Sequence, residues 1–130
     1  MSDFDQPFDF IVSDVSFISL RLVLPSILPL ARADGDLVVL IKPQFEAGRQ
    51  EASRGRGVIT DPTIWRRVLH EVIGQAESDG ATLRGILPSS TKGMSGNVEF
   101  VTWLRCGRSS ILSNEGVIDS AINQVSPAND

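Results

Sequence analysis

One stretch near the start of the chain, Phe8 to Phe17, strongly constrains the fold. It opens with aromatic and β-branched residues, which are typical of a buried strand, and then reaches Asp14, a serine and the beginning of a helical pattern. In open α/β sheets, ligands bind at the edge formed by the carboxyl ends of the strands. We therefore expect an α/β fold with a polar site next to Asp14.

The rest of the chain alternates between predicted helices and strands. Helical spacing of leucines predicts a helix over residues 18–31, interrupted by two prolines, and an apolar face predicts a longer one from Asp61-Pro62 to about Gly80. The other predicted elements are strands at about 8–15, 37–41, 82–87 and 98–105, a turn at 33–36, a glycine- and arginine-rich loop at 43–60, and a tail helix at 114–125. The unbroken apolar run 37–41 indicates a parallel strand covered on both faces.

This order predicts a four-stranded mixed sheet with flanking helices, in which three strands are parallel and the last is antiparallel. The connection before the last strand has no helical pattern and is too short for a parallel crossover. Asp14 and Lys42 end parallel strands, and Glu99 lies near the start of the reversed one. Because reversal brings the beginning of a strand to the edge where its neighbours end, we expect these three residues to meet there.

Composition and charge exclude several functions. The 130-residue chain has one cysteine and one histidine, so it has no internal disulfide or cysteine-based zinc site, and a histidine triad is disfavoured. Its net charge of −4 argues against nonspecific nucleic-acid binding by the whole domain. Residues 42–67 nevertheless carry six basic and three acidic groups, so we expect a phosphate-bearing substrate there. No apolar run approaches the roughly 20 residues of a membrane span, and the acidic start argues against a secretory signal, which favours the cytoplasm.

Three motifs occur in order at suitable spacing: 13–19 (Ser-Asp-Val-Ser-Phe-Ile-Ser), 42–48 (Lys-Pro-Gln-Phe-Glu-Ala-Gly) and 96–100 (Gly-Asn-Val-Glu-Phe). They closely resemble those of the TlyA-type (hemolysin A) ribosomal RNA methyltransferases, which belong to the FtsJ-like group of S-adenosylmethionine-dependent 2′-O-methyltransferases. The resemblance covers roughly residues 8–106.

The resemblance implies an enzyme that methylates a ribose 2′-hydroxyl of ribosomal RNA with S-adenosylmethionine as the cofactor. Family catalysis rests on a Lys-Asp-Lys-Glu tetrad, and three residues here match its last three members. The implied site residues are catalytic Asp14, Lys42 and Glu99, cofactor-binding Asp14, Val15 and Ser16, and RNA-binding Ser16, Arg49, Arg54, Arg56 and Asn97.

Other family features would precede Met1: the first lysine of the tetrad, the glycine-rich loop that holds the methionine part of the cofactor, and a small RNA-binding domain. The resemblance therefore implies the C-terminal half of a Rossmann-like methyltransferase fold. We expect a partial methyltransferase domain at 1–108 and a tail with a short amphipathic helix at 109–130. We also expect this chain alone to bind S-adenosylmethionine weakly and to be inactive in isolation, the full-length form acting on ribosomal RNA or the ribosome.

Simpler explanations stay open for individual residues. Asp14 could cap the following helix, Lys42 could be an ordinary charge at a strand end, and the arginines could keep a loop soluble. Two other functions also stay open: a non-catalytic remnant that dimerises or binds RNA weakly, and a membrane-active protein, as the hemolysin name suggests. The apolar strand Phe8–Val12, as an exposed sheet edge, predicts a two-fold homodimer, for which the tail helix offers an alternative cover.

Overall fold

A computed structural model describes residues 8–15, 18–48, 58–89, 96–107 and 114–125 of the chain. Four strands and four α-helices lie in these ranges, together with a 3-10 helix at Leu28–Leu30. They are β1 (Phe8–Ser13), α1 (Leu20–Ile27), β2 (Ala31–Ile41), α2 (Pro43–Glu46), α3 (Pro62–Ser78), β3 (Ala81–Pro88), β4 (Phe100–Cys106) and α4 (Asn114–Asn123). The predicted alternation of strands and helices is therefore observed, except that α2 lies at the start of the segment predicted as a loop, where Pro43 occupies a first-turn position of the helix.

The four strands form one mixed sheet in the order β1-β2-β4-β3. Strand β1 is parallel to β2, and β4 is antiparallel to both of its neighbours, β2 and β3. Strands β1, β2 and β3 consequently point the same way, and β4 is inserted between β2 and β3 in the reverse direction. The predicted fold class, three parallel strands and an antiparallel last strand with flanking helices, is confirmed.

The predicted turn at 33–36 is wrong, because these residues lie inside β2. Phe8 pairs with Ala31 whereas Phe10 pairs with Asp36, so two steps along β1 correspond to five steps along β2. The turn-forming residues are accommodated as an irregularity within the strand and do not end it. Strand β2 is therefore 11 residues long instead of the five predicted.

Side-chain caps set the starts of the two longer helices before β3. The hydroxyl of Ser19 accepts a hydrogen bond from the backbone N–H of Arg21 at the start of α1. The carboxylate of Asp61 does the same for Thr63 at the start of α3, and Pro62 occupies the first helical position as predicted. Since Ser19 caps α1, the suggestion that Asp14 caps this helix is wrong.

The hydrophobic core lies between one face of the sheet and a layer of helices. Strand β2 alternates between buried and half-buried residues, so the expectation that it is covered on both faces is not met within the described part of the chain. The opposite sheet face carries exposed apolar side chains, among them Phe10 and Val12 of β1. Helix α4 contributes buried residues to the same core and packs against α3 and β3, at the far side of the sheet from β1.

Candidate active site

Three strand ends place Asp14, Lys42 and Glu99 at one edge of the sheet. Asp14 directly follows β1, Lys42 directly follows β2, and Glu99 directly precedes β4. The terminal residues Ile41 and Phe100 are paired in the antiparallel ladder, in which opposite Cα atoms lie about 5 Å apart. One step beyond this pair stand Lys42 and Glu99. The expected meeting of the three residues at one edge is thus confirmed.

Lys42 and Asp14 form an ion pair across the ends of the parallel strands, with 2.5 Å between Nζ and Oδ1. The lysine is only 8% exposed, whereas the aspartate side chain is 60% exposed. The ammonium group also lies over the ring of Phe45, 5.8 Å from its centroid. Lys42 is therefore an enclosed, specifically paired cation and not an ordinary surface charge at a strand end.

Glu99 is buried at 6% exposure and is bound by a residue that the sequence did not single out. Nε2 of Gln44 donates to Oε2 of Glu99 at 2.9 Å. Gln44 follows Lys42 by two residues in the short helix α2, so one turn of chain supplies both a cation and an amide to the site. Its position two residues after Lys42, just beyond a predicted strand end, was the signal that could have identified it.

Glu46 was likewise missed, and it joins the segments that follow β1 and β2. Its carboxylate accepts a hydrogen bond of 2.5 Å from the hydroxyl of Ser19 and one of 2.7 Å from the backbone N–H of Leu20, and its Oε1 lies 3.7 Å from Nε of Arg21. The carboxylate thus lies at the N-terminus of α1, where the helix dipole favours negative charge. Glu46 helps to hold Lys42 and Asp14 together through the chain segments that follow them.

The other predicted site residues lie in different surroundings. Val15 is half-buried and packs against the core. Asn97 is 1% exposed, and its Oδ1 accepts a hydrogen bond of 2.8 Å from the backbone N–H of Ile59, so this contact is internal. Its role in RNA binding stays a prediction. Ser16, Arg49, Arg54 and Arg56 lie outside the described residues.

A second polar cluster lies in the middle of β2, where its ladder with β4 begins, away from this edge. The indole N–H of Trp103 donates to Asp36 at 2.8 Å, and Nε of Arg105 donates to the same oxygen at 3.2 Å. The hydrogen bond from Trp103, assisted by Arg105, holds the pKa of Asp36 below its ordinary value of 3.8. The guanidinium groups of Arg84 and Arg105 lie 5.8 and 5.7 Å from the Trp103 ring.

Within the described segments, no group of three or more histidine, cysteine, aspartate or glutamate side chains could hold a metal ion. No helix among them is both long and apolar enough to cross a bilayer. The described residues at the edge contribute a lysine amine, two carboxylates and an amide.

Known proteins resemble this chain in sequence over most of its length. The family model described as FtsJ-like methyltransferase matches residues 2–106. The 16S/23S rRNA (cytidine-2′-O)-methyltransferase TlyA of Mycobacterium tuberculosis is 40% identical over 118 residues, which are 91% of this chain and 44% of the relative. The 23S rRNA (cytidine-2′-O)-methyltransferase TlyA of Campylobacter jejuni is 34% identical over 96 residues, 74% of this chain and 37% of the relative.

Two solved structures share the fold of this chain. A candidate hemolysin from Streptococcus thermophilus superposes with a TM-score of 0.83 at 34% identity, covering 94% of this chain and 44% of that one. Another from Lactococcus lactis has a TM-score of 0.80 at 38% identity, covering 92% of this chain and 59% of that one. This chain spans less than half the length of the curated relatives named above. The chain belongs to the FtsJ-like methyltransferase family.

Proposed function

We propose that this chain is part of an S-adenosylmethionine-dependent methyltransferase that acts on a ribose 2′-hydroxyl of ribosomal RNA. The observation that carries the proposal is the enclosed Lys42, ion-paired to Asp14 at the edge where Glu99 is also held. The names of the relatives support the reaction and the RNA substrate. A ribosomal RNA substrate would place the protein in the cytoplasm.

The residues at the edge suit this chemistry. A ribose hydroxyl becomes a good nucleophile only as it loses its proton, so a base must lie within hydrogen-bond reach. Lys42, which is paired as a cation with Asp14 here, would first release a proton to solvent and then take that of the hydroxyl, while Asp14 fixes the position of Nζ. Before this transfer, Glu99 would accept the hydrogen bond of the same hydroxyl and so orient it, since alignment of the reacting atoms contributes much of the rate.

S-adenosylmethionine, when bound, supplies the methyl group on a sulfonium. The solvent-facing carboxylate of Asp14, at the carboxyl end of β1, fits an amino group of the adenosine part, and Val15 fits its apolar ring. With Ser16, these residues would form the adenosine side of the site. The 130 residues contain no glycine-rich strand-to-helix turn before Asp14 to bind the amino-acid end. We therefore expect no micromolar binding to residues 1–130 in calorimetry.

RNA would be bound beside this edge by the positively charged middle of the chain. Arg49, Arg54 and Arg56 come 3, 8 and 10 residues after the end of α2 in the sequence. Arginine side chains commonly contact phosphates to position a nucleic acid. Ser16 completes the proposed RNA-binding set, whereas the buried Asn97 would serve it only by holding the backbone at Ile59. These contacts would set the register of the RNA, while the edge residues carry out the reaction.

A chimera tests the proposal. The segment of the Mycobacterium tuberculosis relative that matches this chain is replaced by residues 1–130, and transfer of labelled methyl groups to unmodified ribosomal RNA is measured. We expect transfer by the chimera, none by this chain alone, and a product that resists alkaline cleavage, as a 2′-O-methylated ribose does.

Lys42→Met in the chimera is expected to reduce the rate by at least about 100-fold, the scale of a lost general base. Arg32→Met, whose side chain is 57% exposed near the start of β2 and away from this edge, is the matched control and should leave the rate unchanged. An inactive chimera with the unsubstituted chain, an alkali-labile product, or equal rates for the two variants would contradict the proposal.

A second candidate, a non-catalytic dimerising module, is supported by one observation. Strand β1 forms an edge of the sheet in the described residues, with Phe8 and Phe10 each more than half exposed and Val12 66% exposed. Such an edge is a template for association. We infer a two-fold homodimer by antiparallel pairing of Phe8–Val12. Helix α4 does not serve as the alternative cover, because it packs against α3 and β3 on its own chain.

Light scattering coupled to size exclusion tests the dimer, with α4 retained because its residues belong to the core. We expect a mass of twice 14.1 kDa for the unsubstituted chain at micromolar concentration. Val12→Lys should give the monomer, whereas Leu22→Lys, at an exposed position on α1, should not change the mass. A monomeric unsubstituted chain would rule out the dimer.

A further inference from the structure

Gln44 connects the end of β2 to the beginning of β4 through its side chain. Nε2 donates to Oε2 of Glu99 at 2.9 Å. An ionised carboxylate can only accept hydrogen bonds, so the amide must present its NH2 group to Glu99, and its orientation is fixed by chemistry. Its oxygen Oε1 consequently points away, and within the described segments it is buried without a hydrogen-bond partner.

The unpartnered oxygen indicates why an amide stands at this position. A buried acceptor without a donor is destabilising, and a methionine of similar length would fill the same space without that penalty. A side chain selected for packing alone would therefore not be a glutamine. What the amide adds here is the donor that binds Glu99.

We infer that Gln44 is a positioning residue for Glu99, an inference that rests on the proposed function. By binding Oε2, Gln44 fixes the plane of the carboxylate and directs Oε1 of Glu99 to the substrate hydroxyl. Lys42 lies two residues before Gln44 in the chain, and Asp14 restrains it in the same way through the ion pair. The contacts Asp14–Lys42 and Gln44–Glu99 thus hold the proposed base and the hydroxyl-orienting acid at the same short segment after β2.

Coupling between Gln44 and Glu99 can be measured in this chain without any activity. Urea unfolding of Gln44→Met, Glu99→Met and the double variant forms a cycle that isolates the pair, because neither methionine can make this hydrogen bond. We expect the double variant to be clearly more stable than the sum of the single losses predicts. The matched control is Gln75→Met with Glu99→Met, since Gln75 bonds to Asp79 on the surface of α3, and its losses should add. Additive losses for Gln44 and Glu99 would overturn the inference.

Kinetics of the chimera then separate positioning from a structural role. Gln44→Met should lower kcat by about 10- to 100-fold while the KM values for RNA and S-adenosylmethionine stay within about twofold, since a misplaced group costs rate and not binding. Combined with Glu99→Met, it should cause no further loss of kcat, because the carboxylate that Gln44 positions is then absent. Equal kcat for Gln44→Met and Gln75→Met would overturn the inference while the proposed function stands. An inactive unsubstituted chimera would instead overturn the proposed function, and the unfolding cycle would still decide the contact.

Discussion

Replacing Glu46 with glutamine removes one charge from a carboxylate whose side chain is 2% exposed. A glutamine has one acceptor oxygen, so only one of the two donors, the Ser19 hydroxyl and the Leu20 N–H, keeps its bond. Ser19 cannot accept from the new NH2 group, because its oxygen already accepts from the backbone N–H and from Nε of Arg21. One buried donor is therefore placed against another donor.

The expected loss of stability follows from these contacts. A hydrogen bond to a charged group contributes about 1.5–3 kcal/mol, and a negative charge at a helix N-terminus adds about 0.3–1 kcal/mol. We expect Glu46→Gln to lower the free energy of unfolding by about 2–4 kcal/mol. With a urea slope near 1.5 kcal/mol/M, the unfolding midpoint falls by about 1.3–2.7 M.

Circular dichroism in urea measures this change, and Glu71→Gln provides the matched control. Glu71 lies 3.7 Å from the same Arg21, but its side chain is 41% exposed, so the loss should not exceed about 0.5 kcal/mol. If the two variants shifted the midpoint equally, enclosure of Glu46 would not be the source of its effect, and the argument would be refuted.

Three further predictions concern stability alone. The indole hydrogen bond lowers the pKa of Asp36 in the folded state, so the ionised carboxylate contributes fully to stability above about pH 4, and this contribution is lost as pH falls through the folded pKa. Between pH 7 and pH 3, the free energy of unfolding in urea should therefore fall less for Asp36→Asn than for the unsubstituted chain. Asn97→Leu leaves the N–H of Ile59 buried without an acceptor, and calorimetry should show a loss of about 1–3 kcal/mol. In the same assay, Gly35→Ala should destabilise the fold, because the added Cβ would lie 2.8 Å from a carbonyl oxygen. Gly74→Ala, in α3, should stabilise it by about 0.5–1 kcal/mol, because nothing lies within 4 Å of the added Cβ and alanine favours the helix.

The contradicting outcomes differ among these three predictions. Equal acid sensitivity of the unsubstituted chain and Asp36→Asn would place the titrating group elsewhere. A loss for Asn97→Leu no larger than that for Asn123→Leu, at an exposed position on α4, would show that the buried amide is not essential. Destabilisation by both glycine substitutions would mean that local space does not control the result.

Local patterns in the sequence were enough to predict the order of the four strands and the three longer helices, although not α2, and the edge at which Asp14, Lys42 and Glu99 meet. Hydrophobic periodicity depends on near neighbours in the chain, and strand direction follows from the length of each connection. The turn predicted at 33–36 failed for a related reason. Turn-forming residues indicate a local deviation of the backbone, but whether that deviation ends a strand or bulges within it depends on the neighbouring strand, and here β1 accommodates it.

The partners of the site residues were decided only by the tertiary structure. Gln44 and Glu99 are 55 residues apart, and Glu46 and Leu20 are 26 apart, so no local pattern connects them. Insertion of β4 beside β2, with Ile41 opposite Phe100, brings Glu99 to the turn that holds Lys42 and Gln44. A buried polar group needs a hydrogen-bond partner, and the sequence indicates that need but not which residue meets it. The sequence by itself thus determined which polar residues reach the edge, while the register of the sheet decided which of them are bound to one another.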